Sequence, residues 1–305
     1  MNLESFDKKE LVSRAELIGA VACGIAPCAP VGKDESERLY EWIDSGCNAS
    51  MDYMAKYTGL RVDPQGLLPG ARSVISFAFP YYHPDTPGDS DAIFARYSLG
   101  DDYHDVLRKR LTVIAEWIQN EFNAETRVCV DTAPILERYW AVRAGVGFRG
   151  LNGLIIVPGV GSWVLLGEIL TTAPLPPDRP DTRSCGSCRR CVESCPGHAI
   201  RPDATVDARR CRSYLTIECR DPGLPDGINL GRRIYGCDIC QEVCPWNAAP
   251  ATTAIKEFFP RPEILALTRS EIIDMDQERF SLIFRKSAIK RAKLTGLQRN
   301  LKYMK

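Results

Sequence analysis

The sequence predicts an α+β chain in three parts: a mixed α/β unit over residues 1–172, a cysteine-rich unit over 173–250 and a helical tail over 251–305. Three observations carry that division. Runs of strand and helix period alternate up to about residue 172. The stretch TTAPLPPDRPDT then places four prolines in twelve residues, which neither a helix interior nor a central strand tolerates. Cysteines crowd the segment from 183 to about 250, and their paired motifs are the one internal repeat.

Residues 8–17 read as a helix, and Ile18 to Ile25 (IGAVACGI) as a small-residue strand ending at Ala26-Pro27. An amphipathic helix is expected from Asp34 to about Cys47, with Asp34 a candidate N-cap. Val74 to Phe79 (VISFAF) is a short apolar strand stopped by Pro80. Between Asp102 and Phe122 apolar residues recur at 103, 106, 107, 111, 114, 117 and 118, which is helical spacing. Arg127 to Val130 reads as a strand, and Pro134 as the opening of the helix after it. Leu154–Val157 and Ser162–Leu170 complete the unit as two strands behind a glycine-rich turn.

With 305 residues, 45% of them hydrophobic, the chain buries a full core. Lys+Arg and Asp+Glu balance at 39 each, so net charge argues neither for nor against a polyanionic partner. The N-terminus is charged in both signs without an apolar signal core, and no apolar run approaches the ~20 residues of a membrane helix. The chain is therefore expected in the cytoplasm, away from membranes. Thiols stay reduced there, and thirteen cysteines are better explained by metal than by disulfides.

The first motif is Cys185-x2-Cys188-x2-Cys191-x3-Cys195-Pro196. In this ferredoxin run three cysteines bind one [4Fe–4S] cluster, and the cysteine before proline reaches the neighbouring cluster. Zinc ribbons also use C-x2-C pairs, but zinc has no use for a third cysteine at the same short gap followed by Cys-Pro. The second motif, Cys237-x2-Cys240-x3-Cys244-Pro245, is a shortened copy that needs one further ligand. Pairing by the two-cluster rule puts Cys185, Cys188, Cys191 and Cys244 on one cluster. Cys195, Cys237, Cys240 and one of Cys211 or Cys219 hold the other. Cys23, Cys28, Cys47 and Cys129 lie scattered and read as packing residues. Two clusters make a wire for single electrons, so the first unit, with the length of a whole domain, should hold a substrate or another cofactor.

Gly145-Val-Gly147-Phe-Arg-Gly150 matches G-x-G-x-x-G, but a helix precedes it and a strand follows. That reverses the dinucleotide-binding context and excludes a Rossmann site. Asp131, in Asp131-Thr-Ala-Pro134, sits where a strand ends and a helix begins; it reads either as a helix cap or as an acid facing a cleft. Tyr103 and His104 open the long helix. The tail carries basic residues at 285, 286, 290, 291, 293, 299, 302 and 305 and no acidic one from Arg285 onward, either a solvated face or a phosphate-binding surface.

Several segments together resemble the epoxyqueuosine reductases, cobalamin-dependent iron–sulfur enzymes of queuosine-tRNA synthesis. They are IGAVACGIAP (18–27), DPQGLLPGARSVI (63–75), YSLGDDYH (97–104), DTAPILER (131–138) and GSWVLLGEIL (161–170). Both cysteine runs, CRSYLTIE (211–218) and IYGCDICQEVCPWN (234–247) complete the set. The resemblance spans nearly the whole chain. It implies an N-terminal mixed α/β cobalamin-binding domain, a ferredoxin-like domain with two [4Fe–4S] clusters and a helical C-terminal tail. It also implies removal of an epoxide oxygen from epoxyqueuosine at the tRNA wobble position, leaving an alkene and water. Asp131 then matches the general acid, and Tyr103, His104 and Arg138 match the substrate pocket. Asn152, Ser213, Tyr214 and Asp238 fall on cofactor-contacting segments, and Cys211 becomes the eighth cluster ligand. The partners implied are tRNA carrying epoxyqueuosine and an external low-potential electron donor, with the chain acting as a monomer.

Two departures stand out. Leu151 precedes Asn152 where the family usually shows lysine, and the chain stops after KRAKLTGLQRN, the start of a helical-repeat domain in longer members. The alternatives are a corrinoid reductive dehalogenase of the same layout, against which the DTAPILER segment counts, and a non-catalytic electron-transfer or cobalamin-binding module.

Overall fold

The computed structural model describes residues 6–85 and 90–305. Asp7 caps the first helix, Lys8–Leu17 (α1), by accepting from the Lys9 amide. Strand Ala22–Pro27 (β1) starts four residues later than the apolar run suggests. Ile18 instead closes α1, and Gly19 turns the chain with a left-handed φ of 87°. Helix Lys33–Asp44 (α2) is capped by Gly32. Asp34 lies in its first turn, where a carboxylate favours the helix dipole without capping. Two short helices, Asp52–Lys56 (α3) and Thr58–Val62 (α4), lead to strand Ser73–Pro80 (β2).

Next come Ile93–Phe94 (β3) and the long helix Tyr103–Phe122 (α5). Asp102 caps α5 by accepting from the His104 amide, and Asn123 ends it with a left-handed φ of 45°. Thr126–Cys129 (β4) leads into an irregular turn in which Asp131 holds a φ of 44°. Pro134 lies within that turn and does not open the helix, which begins at Glu137 (α6, Glu137–Arg143). Phe148–Arg149 (β5) and Ile155–Ile156 (β6) form a hairpin, and Val164–Thr171 (β7) follows. The glycine-rich turn therefore has a helix before it and a hairpin after it. At Gly147 the reason for glycine is contact, since a Cβ there would sit 2.5 Å from the Ile156 carbonyl oxygen.

The sheet runs β1-β2-β7-β4, antiparallel throughout. Strand β2 is buried along its full length, which is why its sequence is an unbroken apolar run. Ile75, Phe77 and Phe79 face one layer with α1 and α5, while Val74 and Ala78 face the other with Trp140 and Ala141 of α6. The ends of β4 and β7 thus deliver the Asp131 turn and α6 to one edge of the molecule.

The cysteine-rich segment is irregular, with short helices Arg190–Glu193 (α7) and Arg212–Ile217 (α8), strand Arg233–Tyr235 (β8) and helix Ile239–Glu242 (α9). Strand β3 pairs in parallel with β8, stitching residues of the first third of the chain to this segment. The tail forms Pro262–Leu265 (α10), Arg269–Ile273 (α11), Gln277–Ile283 (α12) and Lys293–Leu301 (α13). Leu294, Leu297 and Leu301 share a core with Phe94, Leu215, Ile234 and Tyr235. No helix among the described residues is long and apolar enough to cross a membrane.

Arg299 departs from the expectation of a basic surface. Only 7% exposed, it donates to the carbonyls of Leu215 (2.7 Å), Cys219 (2.8 Å) and Asp221 (3.0 Å). Asn300 beside it donates to the carbonyls of Thr216 and Ile234. The seven other basic positions of the tail are exposed, and Arg291 is paired with Glu218 at 2.6 Å. Arg299→Ala strands three buried carbonyls and is expected to cost about 2–4 kcal/mol of stability. Lys290→Ala is expected to stay within about 0.5 kcal/mol. Thermal denaturation of the two variants checks both; equal midpoints would make Arg299 a surface residue in effect.

Candidate active site between the sheet and the cysteine loops

The cysteines fall into the two groups that the spacing requires. Cys191 and Cys244 feel the charges of Cys185 and Cys188, which places those four thiols together. Cys211 is grouped with Cys195, and Cys237 and Cys240 with Cys211. Cys240 also feels Cys191, so the two groups adjoin. Cys219 lies in the tail core instead, 4% exposed.

Both groups fit a polynuclear guest. Each gathers four thiols, the ligand number of a [4Fe–4S] cluster. Amides are aimed at the sulfurs: Ala199 donates to Cys195 Sγ at 3.3 Å, Ser213 and Tyr214 point at Cys211, and Trp246 and Asn247 point at Cys244. Such donors stabilise cluster thiolates. Burial first, then the neighbouring thiols, raises Cys240 well above its ordinary range.

The second group forms one wall of a cavity that encloses about 1550 Å³ when its open mouth is included. Cys195, Cys211, Cys237 and Cys240 line it, with Ser213 and Asp238 beside them. Tyr103, Asp131, Glu137 and Arg138 line the same cavity, and Asn152 contributes from the hairpin turn. Leu154, Ile155, Val164, Leu165 and Leu166 make the apolar side. Tyr214 does not line the cavity; its hydroxyl is 2.6 Å from Ser50 Oγ and accepts the Ser50 amide. His104 lies behind the wall, in contact with Asp131.

Three side chains form a hydrogen-bonded row. His104 Nδ1 is 2.6 Å from Asp102 Oδ1, and its Nε2 is 2.9 Å from Asp131 Oδ2. Tyr103 stacks on the imidazole with ring centroids 4.1 Å apart. Burial disfavours the imidazolium, but the two carboxylates outweigh it and push His104 up to about 9. For Asp131, burial raises the carboxyl, yet His104, Tyr103 and Arg138 together hold it below the ordinary carboxylate value. Asp131 has half its side chain exposed (52%), and that surface opens onto the cavity.

Glu137 behaves oppositely. Burial, then the Asp131 charge, pushes it up to about 8, so it carries a proton at neutral pH. Its Oε1 accepts the Asp131 amide at 2.6 Å, which holds the turn in its left-handed conformation. Behind it on β7, Glu168 is wholly buried with Oε2 unpartnered, and burial raises its carboxyl well above the ordinary value. Sequence reasoning missed Asp102, Glu137 and Glu168. Glu137 and Glu168 do lie inside DTAPILER and GSWVLLGEIL, but nothing local marks a carboxyl for burial.

A cavity lined by four cysteines of the two-cluster segment and by Asp131 of a hydrogen-bonded row is the site of an iron–sulfur oxidoreductase. Two family models match, "Epoxyqueuosine reductase QueG, DUF1730" over residues 61–132 and "4Fe-4S double cluster binding domain" over 184–247. The chain belongs to the epoxyqueuosine reductase family. An epoxyqueuosine reductase of Cyclobacterium marinum is 38% identical over 297 residues, covering 95% of this chain and 94% of that protein. One of Synechocystis sp. is 42% identical, covering 91% and 98%. The crystal structure of an epoxyqueuosine reductase with a tRNA-Tyr epoxyqueuosine-modified stem loop matches with a TM-score of 0.88 at 32% identity, covering 98% of this chain and 80% of that one. A Bacillus subtilis epoxyqueuosine reductase, with an aspartate catalytic loop swung out of its active site, matches at 0.87 and 31%, covering 98% and 81%.

Two outcomes are expected. Cys211→Ala should drop the iron content of anaerobically reconstituted protein from about eight to about four per chain, while Cys219→Ala keeps about eight. Equal iron in both variants would remove Cys211 from the ligand set. His104 has a raised value, so its charge stabilises the fold fully below its unfolded value of about 6.5 and ceases to do so as pH rises through about 9. The stability difference between wild type and His104→Gln should therefore shrink across that window, read from denaturation midpoints. A difference independent of pH would mean a neutral imidazole.

Proposed function

We propose that this chain reduces the epoxide of epoxyqueuosine at the wobble position of tRNA, giving the alkene of queuosine and water. The observation that carries the reading is that Cys195, Cys211, Cys237, Cys240 and Asp131 all line one cavity. Residues 1–172 are read as the cobalamin and substrate domain, 173–250 as the two-cluster domain and 251–305 as a tail on the RNA side. The cytoplasm, a monomeric state and an external low-potential electron donor belong to the same reading.

Cobalamin suits the cavity's mixture of aliphatic wall and amide or hydroxyl groups. Asn152, Ser162, Ser213 and Gln241 would hold its polar rim, with Asp238 fixed behind them through the Arg96 amide at 2.8 Å. When bound, it supplies a low-potential cobalt centre for cleaving the carbon–oxygen bond, fed singly by the clusters with the two electrons needed.

Loss of the oxygen as water requires two protons. Asp131, ionised at rest, is the group at the cavity surface that relays one of them from His104, which is charged at neutral pH; the second comes from solvent as the site reloads. Asp102 fixes the imidazole from its other nitrogen. Tyr103 and Arg138 border the same end of the cavity and orient the substrate. The Bacillus subtilis relative has an aspartate catalytic loop that swings. Asp131 lies on a turn held by one left-handed residue and the Glu137 contact, a segment suited to that motion. A wobble base must leave its stack to enter, as single-stranded loop bases do. Exposed Arg285, Lys286, Lys290 and Lys293 offer the RNA backbone a positive surface.

Protein reconstituted with iron, sulfide and cobalamin is incubated with epoxyqueuosine-containing tRNA and a strong reductant, and the nucleosides are analysed. Conversion to queuosine is expected in wild type. Asp131→Asn should keep both clusters and bound cobalamin yet lose about 10²–10⁴-fold in rate. Unchanged epoxyqueuosine with wild type would overturn the reading; full activity of Asp131→Asn would reduce Asp131 to a turn residue.

A further inference from the structure

Arg61, on α4, is 6% exposed, and its Nε is buried without a hydrogen-bond partner. No ion pair engages it among the described residues. An arginine keeps its proton at any physiological pH, and an unpaired buried charge is costly. The anionic groups around it are committed elsewhere. Asp131 is bonded to His104, and Glu137 carries a proton while accepting the Asp131 amide. Of these only Asp131 is ionised, and its charge is near enough to act on Arg61 without bonding to it. The guanidinium therefore stands beside the catalytic turn as a cation whose partner is not part of the protein.

Resting on the reading above, we propose that Arg61 is the seat for a backbone phosphate of the RNA strand, next to the nucleotide whose base enters the cavity. The planar guanidinium fork matches phosphate oxygens, and burial of the side chain already holds it in place, so little ordering remains at binding. The position fits a strand that bends to deliver one base. Tyr53 and Tyr57, each 41% exposed, precede Arg61 on the same short helical stretch and offer ring faces to neighbouring bases. That stretch touches both parts of the molecule. Ser50, just before it, is bonded to Tyr214 of the cysteine-rich part, and Leu60 and Val62, on either side of Arg61, pack in one core with Ile135 and Leu136 of the Asp131 turn. Cobalamin carries a phosphodiester of its own, which is the same chemistry from a second source.

The test is Arg61→Met, which keeps the volume and removes the charge. Relieved of an unpaired buried cation, the ligand-free variant should melt at the wild-type temperature or a few degrees above it. Its affinity for an epoxyqueuosine-modified anticodon stem loop should fall about tenfold, with the slope of log K against log salt smaller by about 0.7. Arg61→Lys should recover part of the affinity and the slope. Cobalamin binding, titrated by absorbance, and iron content should match wild type. Weakened cobalamin binding with unchanged RNA affinity would overturn the proposal in favour of the cofactor's phosphate. A lowered melting temperature with unchanged RNA affinity would make Arg61 structural, and identical behaviour throughout would leave it no role. Because the readout is binding, failure here is separable from failure of the epoxide reading, which wild-type turnover alone decides.

Discussion

Gathering eight thiols into two adjoining groups is the constraint on which the rest of this structure depends. Four sulfurs around one cluster must point inward from loops that are otherwise free to wander, and here each loop is pinned by a short helix beginning at or beside a cysteine. Cys211 is the N-cap residue of α8, and Cys244 that of the 3₁₀ turn Pro245–Asn247. The amides that such starts leave unpaired become the donors to sulfur. The long-range stitches serve the same end. Pairing of β3 with β8, and Arg299 and Asn300 gripping carbonyls of α8 and β8, hold the irregular loops from outside. An iron–sulfur site built from loops needs such a frame, because the loops bury little apolar surface of their own.

The α/β part answers a different demand, the control of buried charge. Four carboxyls and a histidine crowd the ends of β4, β7 and the neighbouring helices, and their environments separate them. Asp102 and Asp131 stay ionised against a charged His104, whereas Glu137 and Glu168 are neutral acids. Two like carboxyls this close cannot both ionise in a poorly solvated place, so one member of the Asp131–Glu137 pair holds a proton. The result is an ionised acid at the cavity surface with proton-bearing groups on either side of it. A site that must release oxygen as water needs that stock of protons away from bulk solvent.

What could be read from the sequence followed from how local each signal is. The unbroken run at 74–79 declared a doubly buried strand, and the repeat between 102 and 122 declared α5, because period is a short-range property. The cysteine runs were legible for the same reason, spacing being the chemistry itself. The ends of elements were less so: Gly32 took the cap assigned to Asp34, and the turn before α6 extended past Pro134 to Glu137. Burial of charge was invisible. Arg299 looked like one more basic tail residue, and Arg61 and Glu137 like ordinary polar neighbours of better motifs. Which charge is enclosed depends on elements that meet only after folding, as α4 meets the Asp131 turn, and no window of neighbouring residues contains that information.

The second thiol group and Asp131 line one cavity. Low-temperature electron paramagnetic resonance of cobalamin-loaded, partly reduced protein reports on this directly. A cobalt(II) signal broadened or split by a reduced cluster, and sharpened in Cys211→Ala, is the predicted result. A sharp, uncoupled cobalt(II) signal in protein that carries both clusters would contradict it.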